Sequence, residues 1–255
     1  MRGHRAGGRA RRGRTRSQGL AHRQAGGTAQ VGLRGLPGRA QWAAADVRER
    51  AEVTAAVEEL VDSFGPCDIL VANAGYALPG RFWELPEDEF ADEMAVNYLG
   101  AVNAAAAVLP SMRSRRRGHL CFTSSTAGLL GIYGYTAYSP TKFALRGLAE
   151  ALRSELRPDG IAVSVLYPPD TDTPGFVKEN EHKPVETAAI SGTIKPKSAS
   201  EVASATIRGI ERGRFTICAD PMTALLAHGS GLVAPLARMV TDRQVRSAQR
   251  RGRAR

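Results

Sequence analysis

The sequence predicts an α/β protein built on a doubly wound parallel sheet, on three observations. From residue 41 onward, short apolar runs alternate with stretches of helical spacing, the order that sets parallel strands under crossover helices. The short runs are apolar throughout rather than at every second residue, as strands covered on both faces are. The polar and turn residues Asp46, Asn73-Ala74-Gly75, Ser124-Ser125 and Pro168-Pro169-Asp170 all fall at the ends of these runs, where open α/β sheets bind their ligands.

The elements follow in order. "QWAAADV" (41–47) predicts a short strand ending at Asp46, and "RERAEVTAAVEELVDSFG" (48–65) a helix stopped by Gly65, with Asp46 a candidate N-cap. "CDILVANAG" (67–75) reads as a buried strand running into a glycine turn. Residues 86–118 open with proline and acids and close with arginines and Gly118, the order a long helix dipole favours. "HLCFTSS" (119–125) is a further strand, followed by the helix of "TAYSPTKFALRGLAEALRSEL" (136–156) and the strand "IAVSVLYPP" (161–169). Ser198 and Glu201 have capping-box spacing at the start of a helix over 198–213, and "RFTICA" (214–219) predicts the last strand. The apolar run 223–240 is interrupted by His228, two glycines and Pro235, which suits a buried or interfacial helix better than a membrane span.

Apolar residues make up 43 % of the 255, enough for a sizeable core. The net charge of +10 is carried by the two ends: residues 1–40 hold ten arginines and no acid, and residues 242–255 six arginines and one aspartate. The body between them is mildly acidic. Both ends read as solvated and disordered, and the first lacks the aromatics and periodicity of a nucleic-acid reading face, so no specific nucleic-acid partner is predicted. Three cysteines without metal spacing and five scattered histidines predict free thiols in a reducing compartment and no metal site. Residues 1–40 contain no apolar signal core, so a cytoplasmic chain is predicted, with peripheral membrane contact and homo-oligomer formation left open.

Tyr138 and Lys142 are four residues apart, hence one turn apart on one helix face. Alone, such a pair is an ordinary surface feature. Ser125 lies thirteen residues before Tyr138, Asn97 lies inside the preceding long helix, and Asn73-Ala74-Gly75 ends a strand. In this order and spacing the chain resembles the short-chain dehydrogenase/reductase family. The stretch "YPPDTDTPGF" (167–176), with "ENEHKPVETAAISG" (179–192) after it, is similar to the branch of that family that reduces 3-keto sphingoid bases.

The resemblance implies a Rossmann-like domain over 41–220 and an enzyme that reduces a long-chain ketone with NADPH, NADH not being excluded. In this reading Tyr138 gives a proton to the ketone oxygen and Ser125 stabilises the charge developing there. A free phenol titrates near ~10, and Lys142 one turn away is expected to lower that value and to hold the nicotinamide ribose. Asn97 supports a water relay, or else bonds a buried backbone group. Asp46, Val47, Asn73, Ala74, Gly75, Tyr138, Lys142, Pro168, Thr171 and Thr173 are implied cofactor contacts, and 174–192 forms a wall of the substrate entrance. Ser124 is a rival to Ser125, and Tyr133 and Tyr135 are rivals to Tyr138, but neither tyrosine has a lysine four residues on.

The likeness stops before residue 41. The family's first βαβ unit, with its TGxxxGIG loop for the pyrophosphate, has no match in 1–40, so that unit is predicted to be lacking or atypical and NADPH binding weak. A reductase of another acyl ketone or secondary alcohol, and a non-catalytic remnant, are the alternatives. Residues 221–255 are predicted to form an apolar helix and a basic tail.

Overall fold

A computed structural model describes residues 40–192 and 195–253. Its centre is a four-stranded parallel sheet of β1 (Ile69–Ala72), β2 (Gly118–Thr123), β3 (Ile161–Tyr167) and β6 (Thr216–Cys218), in that spatial order. Ile69 pairs with His119, Gly118 with Ile161 and Val165 with Thr216. The fold is α/β and Rossmann-like, as the alternation predicts.

The strand faces alternate as a pleated sheet requires. Leu120 and Phe122 of β2 and Val163 and Val165 of β3 point into one core. There α3 (Gly100–Arg115) brings Ala101, Ala105, Val108 and Met112, and α4 (Tyr138–Leu156) brings Leu145 and Ala149. On the other face Cys121, Leu166 and Ile217 meet Val202 of α7 (Ala199–Glu211). That helix begins with the predicted capping box of Ser198 and Glu201. β1 is an edge among the described strands, and Ile69 and Val71 on its second face are exposed.

The predicted strand at 41–47 does not form. Among the described residues no strand lies beside it to pair its backbone, and side chains take those groups instead. Asn103 Nδ2 donates to Val47 O at 2.9 Å, and Asp46 N donates to Glu52 Oε2 at 2.8 Å. Nor does Asp46 cap the helix that follows: α1 (Arg50–Phe64) starts after Glu49, and Asp46 pairs with Arg48 at 2.6 Å. Gly65 ends α1 with φ of 83°, a conformation that glycine adopts without strain.

The helix predicted over 86–118 is interrupted. It runs as α2 (Glu89–Met94), a π turn at Ala95–Leu99, and α3. Among the described residues Glu89–Arg115 is the one helix long and apolar enough to cross a membrane by length and composition. It packs on the sheet and carries buried Glu93 and Asn97 toward the strand ends.

After β3 the chain forms a small excursion. β4 (Thr171–Asp172) pairs in parallel with β5 (Lys197–Ser198), closing the base of α5 (Pro174–His182) and α6 (Val185–Ser191). The C-terminal basic end is not a disordered tail over 242–253: α8 runs from Pro221 to Arg253, broken at Gly229. Leu225, Leu236, Met239 and Val240 on it are exposed, while Leu226 and Ala227 pack against the core. The predicted disordered segment 1–40 lies, but for Ala40, outside the described residues.

Candidate active site

The site is assembled where β1, β2 and β3 end. Tyr138 is the first residue of α4, so its side chain faces back over the strand ends while Lys142 stands one turn deeper. Ser125 follows β2 in extended backbone. Its Oγ accepts from Ala127 N at 3.1 Å, which fixes the hydroxyl at the start of a short 3₁₀ turn. From there it stands near the Tyr138 phenol and favours the ionised form of that group. The rival Ser124 is fully buried and donates to Lys142 O at 2.8 Å, a packing bond between β2 and α4. The rival tyrosines are also engaged elsewhere. Tyr135 OH donates to Glu179, and Tyr133 OH donates to Glu186 Oε1 at 3.3 Å.

Lys142 is buried, its Nζ donating to Thr123 O at 3.0 Å and lying 5.3 Å from the centre of the Tyr138 ring. Burial lowers its pKa to about 8, against an opposing pull from Glu93. The phenol of Tyr138 is raised above its ordinary value, first by burial and then by the charge of Glu179. Ser125 works the other way, and Glu93 and Asp170 add to the rise. The expected lowering by Lys142 is therefore not what the geometry produces: burial, and after it the carboxylates, set the direction, and the phenol keeps its proton at neutral pH.

Asn97 sits in the π turn, a helix defect that is frequent at functional sites. Its Nδ2 donates to Tyr76 O at 2.9 Å and to Thr141 Oγ1 at 3.2 Å, and its Oδ1 accepts from Tyr76 N at 2.9 Å. The side chain thus clamps the loop after β1 against α4, which is the backbone-bonding alternative of the sequence reading. Gly75 lies against this clamp: a Cβ there would stand 2.7 Å from Asn97 Oδ1 and 3.4 Å from Lys142 Nζ. Gly75→Ala should displace the amide and lower stability by roughly 1–3 kcal/mol, the range for overpacking; a thermal melt of the variant checks this, and an unchanged melt counts against the clamp.

The other predicted contacts divide into two groups. Asn73 and Ala74 are exposed on the loop beside Gly75, and Pro168 O accepts from Thr126 N at 3.4 Å, so both border the Ser125–Tyr138 cluster. Asp46 and Val47 belong instead to a turn held on α3. A Cβ on Gly100 would meet Val47 Cγ2 at 2.8 Å, and no described contact joins this turn to Tyr138. Thr171 Oγ1 donates to Pro169 O at 2.8 Å, and Thr173 Oγ1 caps α5 by accepting from Phe176 N at 3.1 Å. Both hydroxyls have the structural roles of a rigid proline turn.

Glu93 was not singled out by the sequence reading. It is fully buried; Oε1 accepts from Leu78 N at 2.7 Å, and Oε2 has no hydrogen-bond partner. Burial drives its pKa up to about 8, and Lys142 partly opposes this. Its position four residues before Asn97, the same one-turn spacing as Tyr138 and Lys142, is a signal that an acid in an apolar helix offers. Glu179 and Asp170 complete the charged surroundings. An open cleft of about 490 Å³ lies beside this cluster, between the 130–136 loop and α8, with Tyr135 and Ser139 on one wall and Arg238 and Val245 on the other.

A parallel sheet whose strand ends gather a serine, a tyrosine and a lysine agrees with the comparisons. The family model described as short chain dehydrogenase matches residues 21–184. The chain belongs to the short-chain dehydrogenase family. Within it, the chain is 47 % identical over 174 residues to a 3-dehydrosphinganine reductase of Danio rerio, covering 68 % of this chain and 52 % of that protein. It is 46 % identical over 186 residues to a 3-ketodihydrosphingosine reductase of Dictyostelium discoideum, covering 71 % and 56 %. Among solved structures it resembles a short chain dehydrogenase/reductase from Burkholderia phymatum in complex with NAD, with a TM-score of 0.68 and 26 % identity over 80 % of this chain and 78 % of that one. The chain spans about half the length of the curated relatives it matches. The family match begins at residue 21, and residues 21–39 lie outside the described ones.

Proposed function

We propose that this chain is an NADPH-dependent ketone reductase acting on 3-ketodihydrosphingosine (3-dehydrosphinganine) and yielding dihydrosphingosine. The observation that carries the proposal is the gathering of Ser125, Tyr138 and buried Lys142, whose Nζ lies 5.3 Å from the Tyr138 ring, in a chain nearly half identical to reductases so named.

The residues fit the nicotinamide end of a dinucleotide. An ammonium has three N–H donors, and Lys142 gives one to Thr123 O, so others remain for ribose hydroxyls. The exposed loop at Asn73–Gly75 gives an approach from the β1 end. The predicted lack of a pyrophosphate loop concerns residues outside the described ones. When bound, the cofactor supplies a hydride for the ketone carbon. Tyr138 transfers its phenolic proton to the ketone oxygen, and Ser125 donates a hydrogen bond to the same oxygen as charge gathers on it. The ketone becomes a secondary alcohol. A raised phenol pKa suits this direction, because the proton is present when the alkoxide forms. Asn97 holds the loop of Tyr76 against α4 so that Lys142 and Tyr138 keep their positions.

The exposed apolar residues of α8, followed by Arg243, Arg246, Arg250 and Arg251, support contact with an anionic membrane surface, where a long-chain substrate would reside. The test is to incubate the chain with NADPH and 3-ketodihydrosphingosine and follow dihydrosphingosine by mass spectrometry. Formation of that product at the rate of NADPH consumption is the expected result. NADPH binding without turnover of this or any other ketone would point to a non-catalytic protein.

A further inference from the structure

Glu179 lies beside the Ser125–Tyr138 pair in a way that packing alone does not require. Its Oε1 takes the Tyr135 hydroxyl, and the Tyr135 ring is 5.6 Å from the Tyr138 ring, tilted by 51°. The same oxygen is 3.1 Å from Lys183 Nζ. Lys183 is held in place: its side chain is 3 % exposed, and its Nζ, which makes no hydrogen bond among the described residues, lies 4.3 Å from the centre of the Phe176 ring. Among the described residues Oε2 of Glu179 has no partner, and the side chain is 21 % exposed, so a ligand can reach it.

The charges do not balance. Glu179 and Asp170 face one cation, Lys183, and Asp170 feels the charge of Glu179. Glu179 is also the strongest charge acting on the Tyr138 phenol. An excess carboxylate in a partly buried site costs stability unless a cation completes it. The substrate named above carries such a cation: a 3-keto sphingoid base has an ammonium on the carbon next to the ketone. With the ketone oxygen at Tyr138, that ammonium lies one carbon–carbon bond away from the reacting carbon.

We propose that Glu179, backed by Asp170, accepts the substrate's 2-ammonium group through Oε2 and so selects 2-amino ketones over plain long-chain ketones. This deepens the reading of the chain as a 3-keto sphingoid reductase and rests on it. Glu179 is then a specificity-determining residue. It also ties the phenol to the substrate, because an ammonium at Glu179 offsets the carboxylate charge that holds the phenol's proton.

The test compares 3-ketodihydrosphingosine with its 2-deamino analogue in the full chain, in Glu179→Gln and in Tyr135→Phe. The parent should prefer the amine. Glu179→Gln should lower that preference, read as the ratio of kcat/KM on the two ketones, by about 10- to 100-fold, the range for one charge-assisted hydrogen bond, whereas the change in the phenol's surroundings acts on both ketones. Tyr135→Phe removes a bond to Glu179 but leaves its charge, and should keep the preference. A preference unchanged in Glu179→Gln, or both ketones falling equally, would overturn the proposal. Binding is measured alongside, with dihydrosphingosine and its N-acetyl derivative titrated against intrinsic fluorescence. If neither ketone is turned over, the reductase reading fails. The binding preference still judges Glu179: tighter binding of the free amine, lost in Glu179→Gln, supports the proposal, and equal binding of the two long chains overturns it.

Discussion

Tyr138→Phe should lower turnover of the 3-ketone by roughly 10²–10⁴-fold, the range for a positioned acid–base group, while leaving the fold intact. The substitution removes one oxygen from a side chain whose other constraints persist. Thr141 Oγ1 still donates to the backbone carbonyl of residue 138 at 2.8 Å, and Ser125 Oγ still accepts from Ala127 N. The ring still packs against that of Tyr135. What disappears is the proton. Neither neighbouring tyrosine can supply it, since Tyr133 and Tyr135 have their hydroxyls on Glu186 and Glu179. Lys142 is an ammonium below its pKa of about 8 and could in principle donate, but its Nζ points to Thr123 O behind the ring. Single-turnover measurement with NADPH separates the chemical step from binding. Turnover like that of the parent would remove Tyr138 from the chemistry.

The four strands β1, β2, β3 and β6 and the helices between them were legible because burial on both faces leaves continuous apolar runs. The stretch at 41–47 shows where such reading fails. Its residues suit a strand, but a strand exists only by pairing, and pairing is decided elsewhere in the chain. The Ser125, Tyr138 and Lys142 cluster was legible because each of its spacings is local to a strand end or one helix turn. Glu93, Glu179 and Asp170 set the electrostatics of the same cluster, yet they approach it from three elements, and only the fold brings them together. The direction of the phenol's pKa was misjudged for that reason: Lys142 is visible four residues away, whereas the burial that raises the phenol, and the carboxylates that add to it from 45 residues before and 32 and 41 after Tyr138, exist only in the fold. The π turn that orients Asn97 has no marker in "AVNYL", which contains neither proline nor glycine.

Glu93→Gln should make the protein more stable than its parent above neutral pH and nearly equal to it in acid. The Glu93 carboxyl is fully buried and raised from 4.5 to about 8, first by loss of water and further by Glu89 and Glu179, with Leu78 N–H and Lys142 opposing. Below pH 4.5 it is protonated in both folded and unfolded chains. Between 4.5 and about 8 the folded chain holds a proton that the unfolded chain has released, so the stability tied to this group is fully present at the acid end and is lost as pH rises toward 8. The ceiling for that loss is roughly 5 kcal/mol. Glutamine reproduces the protonated state: it keeps an oxygen for Leu78 N–H and leaves, as the acid does, one buried polar atom without a partner. The difference in Tm between variant and parent should therefore be small at pH 5 and grow steadily toward pH 8. Lys142 does not blur this window, because its own contribution, lowered from 10.5 to about 8, changes between those two values and increases stability as pH rises through them. Loss of Glu93 also removes the charge that pulls the Lys142 pKa upward, so the alkaline limb of the activity profile should move to lower pH in the variant. A Tm difference that stays flat from pH 5 to 8 would mean that Glu93 is ionised in the folded protein throughout, held by Lys142 as one partner of a buried ion pair.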